Sequence, residues 1–307
     1  MDYLIYSLSL LVIYVGLTQL LYVQFGLLGI PNFGVVGFWG AGMYLTAVLN
    51  VQAAAPLGVA VVLSALITGL LALVLGWIVL RRSGQAILCA TLAFASAFGY
   101  LVISEKWLTN GVQGLGTVRF PFAEFAQAEL VFGLFTLAVV AGLIWLSIRL
   151  RQSRLGRVMI AIRDNEELAA SLGKNTAAIK LAVFTATCAL MGLLGGLTAP
   201  IYQFLVPSLL VPSVTFTTWI ALVLGGKGHS FGPMVGVALT VGLFDILIGT
   251  YAPLPPDYAS IIANAKMLCY GLLLVAVIMY RPTGVLGQAA LKGPARPAPA
   301  RRPEAAE

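Results

Sequence analysis

Residues 57–80 read LGVAVVLSALITGLLALVLGWIVL, and the chain carries no Asp, Glu, Lys, Arg or His anywhere between Asp2 and Arg81. A water-soluble domain cannot leave so long a stretch uncharged, because its outer faces need solvation. In lipid the sign reverses, since a charge at the centre of a spanning helix costs about 2.5–3.5 kcal/mol on insertion scales. The composition agrees: 60% of residues are hydrophobic, 9% are charged, and the mean hydropathy is +0.98. An average soluble chain is about 25% charged. The chain therefore reads as an all-α polytopic membrane protein. At roughly 20 residues per spanning helix plus short loops, its length leaves room for about 8–10 transmembrane helices. A β-barrel is a poor fit, because the apolar runs are continuous and do not alternate over roughly ten-residue segments.

Spanning segments are expected near 4–24, 33–50, 57–80, 86–104, 130–149, 180–199, 213–226, 232–250 and 261–280. The stretch GLLGIPNFG, Gly26 to Gly34, breaks the helix signal without adding charge. Pro removes a backbone donor and Gly weakens a helix. Broken backbone at membrane depth survives only where protein or a water-lined cavity covers it. This segment is thus either a buried turn or part of a discontinuous helix beside a polar path. Lys and Arg set the orientation. With nine spans, 15 of the 18 basic residues fall on one side, which places residues 150–180 and the C-terminus in the cytoplasm. The N-terminus lacks a basic n-region and an A-x-A site, so it reads as a retained helix. Residues 1–287 form the membrane domain. Residues 288–307, rich in Pro, Ala and Arg, read as a disordered basic tail that either lies in solvent or rests on anionic lipid head groups.

The longest charged segment, Arg149 to Lys180, reads RLRQSRLGRVMIAIRDNEELAASLGKNTAAIK. Asp164-Asn165-Glu166-Glu167 has the form of a capping box, and Gly173 supplies a C′ stop. A helix of about two turns should stand between two spans, with Leu168 and Leu172 on one face at i and i+4. Such a knob either docks into a groove on a partner or lies on lipid.

Few polar groups remain inside the membrane. Asp245 and Lys266 fall at similar depth in the last two spans and form either an interhelical ion pair or two independent groups, with Lys266 snorkelling outward. The lone His229 sits in a Gly-rich cytoplasmic turn and cannot by itself hold a metal. Cys89, Cys188 and Cys269 lie in apolar runs and are expected to be buried, inert thiols. Gly192 to Gly196 and Gly232 to Gly236 carry small-xxx-small spacing, which serves packing within one chain or a dimer face.

Several motifs carry a family resemblance. GRVMIAIRDNEELAASLG, Gly156 to Gly173, resembles the cytoplasmic loop of branched-chain amino acid ABC transporter permeases of the LivM-like type. In the same order, GVVGFWGAGMY at 34–44, LTNGVQGLGTVRFP at 108–121, LGGKGHSFGP at 224–233 and YRPTGVLG at 280–287 resemble further family motifs, although Gly42-Met43-Tyr44 breaks the G-A-Y ending by one residue. The resemblance implies a type II ABC importer-like permease in the bacterial inner membrane, without catalysis of its own. Its implied partners are a second permease subunit in a heterodimer, two ABC ATPase subunits that hold ATP and Mg, a periplasmic binding protein and membrane lipid, with no nucleic acid. No G-x-x-x-x-G-K-[ST] phosphate cradle occurs in the chain itself. The coupling contact is implied at Arg163, Asp164, Glu166, Glu167, Leu168, Ala169, Ala170, Leu172 and Gly173, of which Glu167, Ala169, Ala170 and Gly173 loosely match the E-A-A-x-x-x-G motif with Leu168 intervening. The implied substrates are branched-chain or hydrophobic amino acids, or urea, short amides or aromatic acids. A zwitterion needs polar contacts, for which Gln19, Gln24, Asn32, Thr91, Ser96 and Thr218 are candidates. A stand-alone secondary transporter or channel is the alternative of another class, but such proteins carry midplane charges and internal repeats.

Overall fold

The computed structural model describes residues 3–116, 118, 128–247, 268, 271–272, 275–276, 279–280 and 284–287. The ninth expected span and the basic tail lie largely or wholly outside these residues. Helix α1 (Tyr3–Leu21) continues as a π-helical turn, Tyr22–Leu27, before the chain unwinds. There follow α2 (Val35–Val51), α3 (Leu57–Val79), α4 (Gly84–Ser104) and the short α5 (Lys106–Thr109). The second half holds α6 (Ala128–Gln152), α7 (Arg154–Asp164), α8 (Glu166–Ser171), α9 (Thr176–Tyr202), α10 (Pro212–Gly225) and α11 (Gly232–Val237), which runs on in π-helical form over Ala238–Leu247. Among the described residues, six helices are long and apolar enough to cross a membrane, and Val35–Val51 and Gly232–Gly242 are shorter apolar helices.

Side chains are sorted as lipid requires. On α3, Ala60, Ser64, Ala65, Thr68, Gly69, Ala72 and Gly76 face inward, while Leu66, Leu70, Val74 and Trp77 face outward. Small residues let helices approach, and lipid solvates large apolar ones. Helix α2 differs, since nearly all of it is buried between α3, α4 and α9. Its 17 residues span only about 25 Å, because protein and not lipid surrounds it. The crossing of α2 and α9 is close. A Cβ on Gly195 would collide with the Trp39 carbonyl, and one on Gly42 with the Gly192 carbonyl. The small-residue stripe at Gly192 to Gly196 is thus used within the chain. Helix α4 contributes one buried stripe, Ile87, Thr91, Ala95 and Val102. Cys89 lies off that stripe and is exposed, contrary to the expected burial, whereas Cys188 is buried; Cys269 is outside the described residues.

The two ends are distinct. At one end, Leu115 and Leu205 exchange backbone hydrogen bonds of 2.9 and 2.8 Å, and Gln52 Nε2 donates to the Leu108 carbonyl at 2.8 Å. At the other, Arg81 shares a crevice with Asn175, and the Lys227–Ser230 turn sits against α1. Arg81, between α3 and α4, and Lys227, between α10 and α11, therefore lie at one end together with the start of α9, as expected from the distribution of Lys and Arg along the chain. Residues 284–287 dock there too, with Val285 N donating to the Leu224 carbonyl at 2.8 Å. That contact joins the 224–233 turn to the 280–287 ending.

Candidate functional site

The segment between α6 and α9, expected on the cytoplasmic side, folds as a hairpin of two helices. Its first arm, α7, was not anticipated as a helix. Ser153 caps it by accepting from Gly156 N at 3.1 Å, and Met159, Ile160 and Ile162 face the membrane body. The Ser153 cap and the three-residue spacing of Met159 and Ile162 were the signals for it. The second arm, α8, is the expected knob, but its cap is displaced by one residue. Asn165, not Asp164, is the N-cap, with an extended backbone and Oδ1 accepting from Leu168 N at 2.9 Å. Asp164 is the last residue of α7, so its backbone is helical and cannot take the N-cap conformation. Glu167 consequently sits one position short of the reciprocal capping-box site.

The stop falls where expected. Gly173 has φ +76°, Gly173 N donates to the Ala170 carbonyl at 2.9 Å, and Lys174 N donates to the Ala169 carbonyl at 3.3 Å. This is the paired bonding of a Schellman ending, which requires a left-handed residue. Glu166 pairs with Lys180 at the start of α9, tying the knob to the span. Ala169 is buried against α7, while Leu168 is 59% and Leu172 72% exposed. Glu167 and Ala170 share the exposed side. Two large apolar side chains standing out from a charged tip form a surface that favours cover. Arg163 turns away from that surface. Its Nε and Nη2 bind Asp164 Oδ1 at 3.0 and 2.9 Å, and its Nη1 donates to the Gly26 carbonyl at 2.5 Å.

The second site is a buried polar knot on the broken segment after α1. Gln24 Nε2 donates to Thr187 Oγ1 at 2.6 Å and approaches Cys188 Sγ at 3.4 Å. Asn32 Nδ2 donates to Gln24 Oε1 at 2.9 Å, and Asn32 Oδ1 accepts from Gly34 N at 2.7 Å. Thr91 Oγ1 accepts from Phe33 N at 3.0 Å, and Trp219 Nε1 donates to the Asn32 carbonyl at 2.9 Å. The unwound backbone is therefore satisfied by side chains of α4 and α10 and by Asn32 itself, as buried non-helical backbone must be, while α9 holds the Gln24 and Asn32 amides. Thr187 lies seven residues beyond Lys180 on α9, about 10 Å deeper along the axis. The knot is thus inside the apolar layer. Both readings of Gly26 to Gly34 hold in part: the segment is a buried turn, and it interrupts helical structure at membrane depth.

The remaining candidates separate. Gln19 is fully buried but lies nearer the Lys227–Ser230 turn, donating to Ser147 Oγ at 2.5 Å and to the Ser230 carbonyl at 3.2 Å. Thr218 is buried and donates to the Thr215 carbonyl of its own helix at 2.7 Å. Ser96 is exposed on the outer face of α4, away from the knot. Of the expected Asp245–Lys266 pair, Lys266 lies outside the described residues. His229 Nδ1 accepts from Phe231 N at 3.2 Å, a local turn contact. Reading the sequence missed Thr187, Cys188 and Trp219 as partners of the knot. Thr187 lies 163 residues from Gln24, and no local pattern links them.

Comparison with known proteins agrees with this architecture. A family model described as the permease component of the branched-chain amino acid transport system matches residues 2–277. The high-affinity branched-chain amino acid transport system permease protein LivM of Salmonella typhimurium is 27% identical over 303 residues, covering 91% of this chain and 68% of that protein. Its counterpart LivH of Escherichia coli strain K12 is 31% identical over 145 residues, 47% of this chain and 43% of that protein. A probable LivM of Methanocaldococcus jannaschii is 24% identical and covers 91% of this chain and 92% of that protein. No solved structure matches the chain.

Proposed function

Given that the chain belongs to the branched-chain amino acid transport permease family, we propose that it is a membrane-spanning subunit of an ATP-driven importer for branched-chain or other hydrophobic amino acids in the bacterial inner membrane. The observation that carries the ATP-driven part is the α8 knob, with Leu168 and Leu172 exposed at the end of the molecule where the basic residues gather. A capped helix with two outward leucines fits a groove on a separate ATPase, which would hold the ATP and Mg for which this chain has no phosphate cradle. The Glu166–Lys180 pair and the buried Ala169 make the knob a firm extension of α9 and α7, so that force on it reaches the spans.

The assembly we propose holds a second, related permease, two ATPase subunits and a periplasmic binding protein. Its support is that relatives named LivM and LivH both match this one chain. Among the polar candidates, Gln24, Asn32 and Thr91 are the ones we place beside the substrate path. They lie on or against broken backbone, and their amides and hydroxyl can exchange their present contacts for contacts with a zwitterion. In the conformation described Gln24 and Asn32 bind each other, while Thr91 holds Phe33 N.

Removing residues 164–173, or introducing Leu168→Asp with Leu172→Asp, tests the reading. We expect the permease to insert and to keep its helical content while the ATPase no longer co-purifies with it. Undiminished co-purification with either variant overturns the coupling role of α8.

A further inference from the structure

The two sites described above are physically joined, and one side chain makes the join. Arg163 leaves the knob hairpin and reaches the broken end of the first span, where its Nη1 donates to the Gly26 carbonyl at 2.5 Å. Its aliphatic stem lies against Gly29, where an added Cβ would stand 2.9 Å from Arg163 Cγ. On the far side of Gly26 the contacts continue without a gap. Phe25 meets Trp219 edge to face with centroids 4.7 Å apart, Trp219 binds the Asn32 carbonyl, and Asn32 binds Gln24. The Gly26 carbonyl that Arg163 holds belongs to the π-helical turn Tyr22–Leu27, and the chain beyond Leu27 is unwound until Val35. Such wide turns cluster at functional sites, and unwound backbone takes up dihedral change more readily than a continuous helix.

We propose that Arg163 is a positioning residue that transmits displacement of the cytoplasmic knob to the segment Tyr22–Gly34, and that this segment is a moving gate of the permeation path. The inference rests on the coupling role of α8. A rigid anchor would need only apolar packing, which Met159, Ile160 and Ile162 of α7 already supply. Arg163 adds a charged donor fixed at both ends: its Nε and Nη2 are held by Asp164 on its own arm while Nη1 holds the first span. Motion of the hairpin therefore pulls on the Gly26 carbonyl. Because Ile30 N donates to the Gln24 carbonyl at 2.9 Å, the pull acts on the turn that carries Gln24.

Cys188 is a built-in reporter, since it is buried and in contact with both Gln24 and Asn32. The experiment uses the whole transporter in proteoliposomes, with Cys89 and Cys269 replaced by Ala. Uptake per ATP hydrolysed and maleimide labelling of Cys188 are measured with and without vanadate trapping of the ATPase. With Arg163 present, we expect trapping to change the labelling of Cys188. In Arg163→Ala the ATPase should stay bound and hydrolyse ATP, the uptake per ATP should fall about tenfold, within the range of ordinary coupling between sites, and the response of Cys188 to trapping should vanish. Arg163→Lys, which can still donate to the Gly26 carbonyl, should recover part of both.

An unchanged uptake per ATP in Arg163→Ala overturns the transmitting role. Labelling of Cys188 that ignores vanadate when Arg163 is intact overturns the gate, whether or not the variants fold. If the ATPase remains bound to the Leu168→Asp, Leu172→Asp variant, the coupling reading has failed instead, and this inference goes with it.

Discussion

Asn32 shows what one side chain decides in this molecule. It is fully buried, donates to Gln24 Oε1 and accepts from Gly34 N, so it closes both a side-chain knot and a backbone turn. Asn32→Leu keeps the size but leaves Gln24 Oε1 and Gly34 N without these partners, each at a cost of about 1–3 kcal/mol. We expect a clearly lower melting temperature in detergent. We also expect the Gln24→Leu, Asn32→Leu double variant to lose less than the sum of the two single variants, because the residues share one network. A strictly additive pair would mean that the two amides act independently. Gln24 and Asn32 could be picked out of the sequence as polar residues in an apolar run. Their partners could not, because Thr187, Cys188 and Trp219 reach them through folding and not through proximity along the chain. Cys89 and Cys188 make the same point, since similar apolar surroundings in sequence leave one thiol exposed and the other buried.

At the scale of the element, the knob was legible as a short capped helix with two leucines on one face. Its start was not, because α7 occupies Asp164. Helix caps depend on where the preceding helix stops, and the acidic residue that looked like a cap serves as the end of another helix. The difference is measurable. Asn165→Ala should cost the α8 helix about 1 kcal/mol and weaken binding of the proposed ATPase several-fold, measured by titration in detergent. Asp164→Ala leaves the cap of α8 in place and should cost less affinity. A greater loss at Asp164 than at Asn165 would contradict the cap assignment. The same dependence on neighbours explains α2. Its length falls short of the usual span because protein covers most of it, so it does not have to match the thickness of lipid.

At the scale of the whole molecule, the two ends carry different chemistry, and the distribution of Lys and Arg sets their orientation. Single cysteines introduced at Ala55 and Val112 should react with an impermeant maleimide added outside the cell. Single cysteines at Arg82 and Lys174 should react only after the inner face is opened. The reverse pattern would invert the molecule and remove the knob from the cytoplasm. The link between knob and knot through Arg163 also belongs to this scale, because it joins residues 163 and 26, which share no local pattern.

The sequence by itself determined that this is an all-α membrane protein, where its spans in the described residues begin and end to within a few residues, and that a short capped helix stands between two spans near residue 165. Each of these follows from properties that act along the chain: the cost of charge in lipid, the rise of a helix, and the chemistry of its ends. Only the tertiary structure decided that α2 is enclosed, that Gln24 and Asn32 bind Thr187 and Cys188, and that Arg163 binds the Gly26 carbonyl at the end of the first span. Those outcomes depend on which helices lie side by side. In lipid every spanning face is apolar, so hydrophobic pattern alone does not distinguish a neighbour helix from the bilayer.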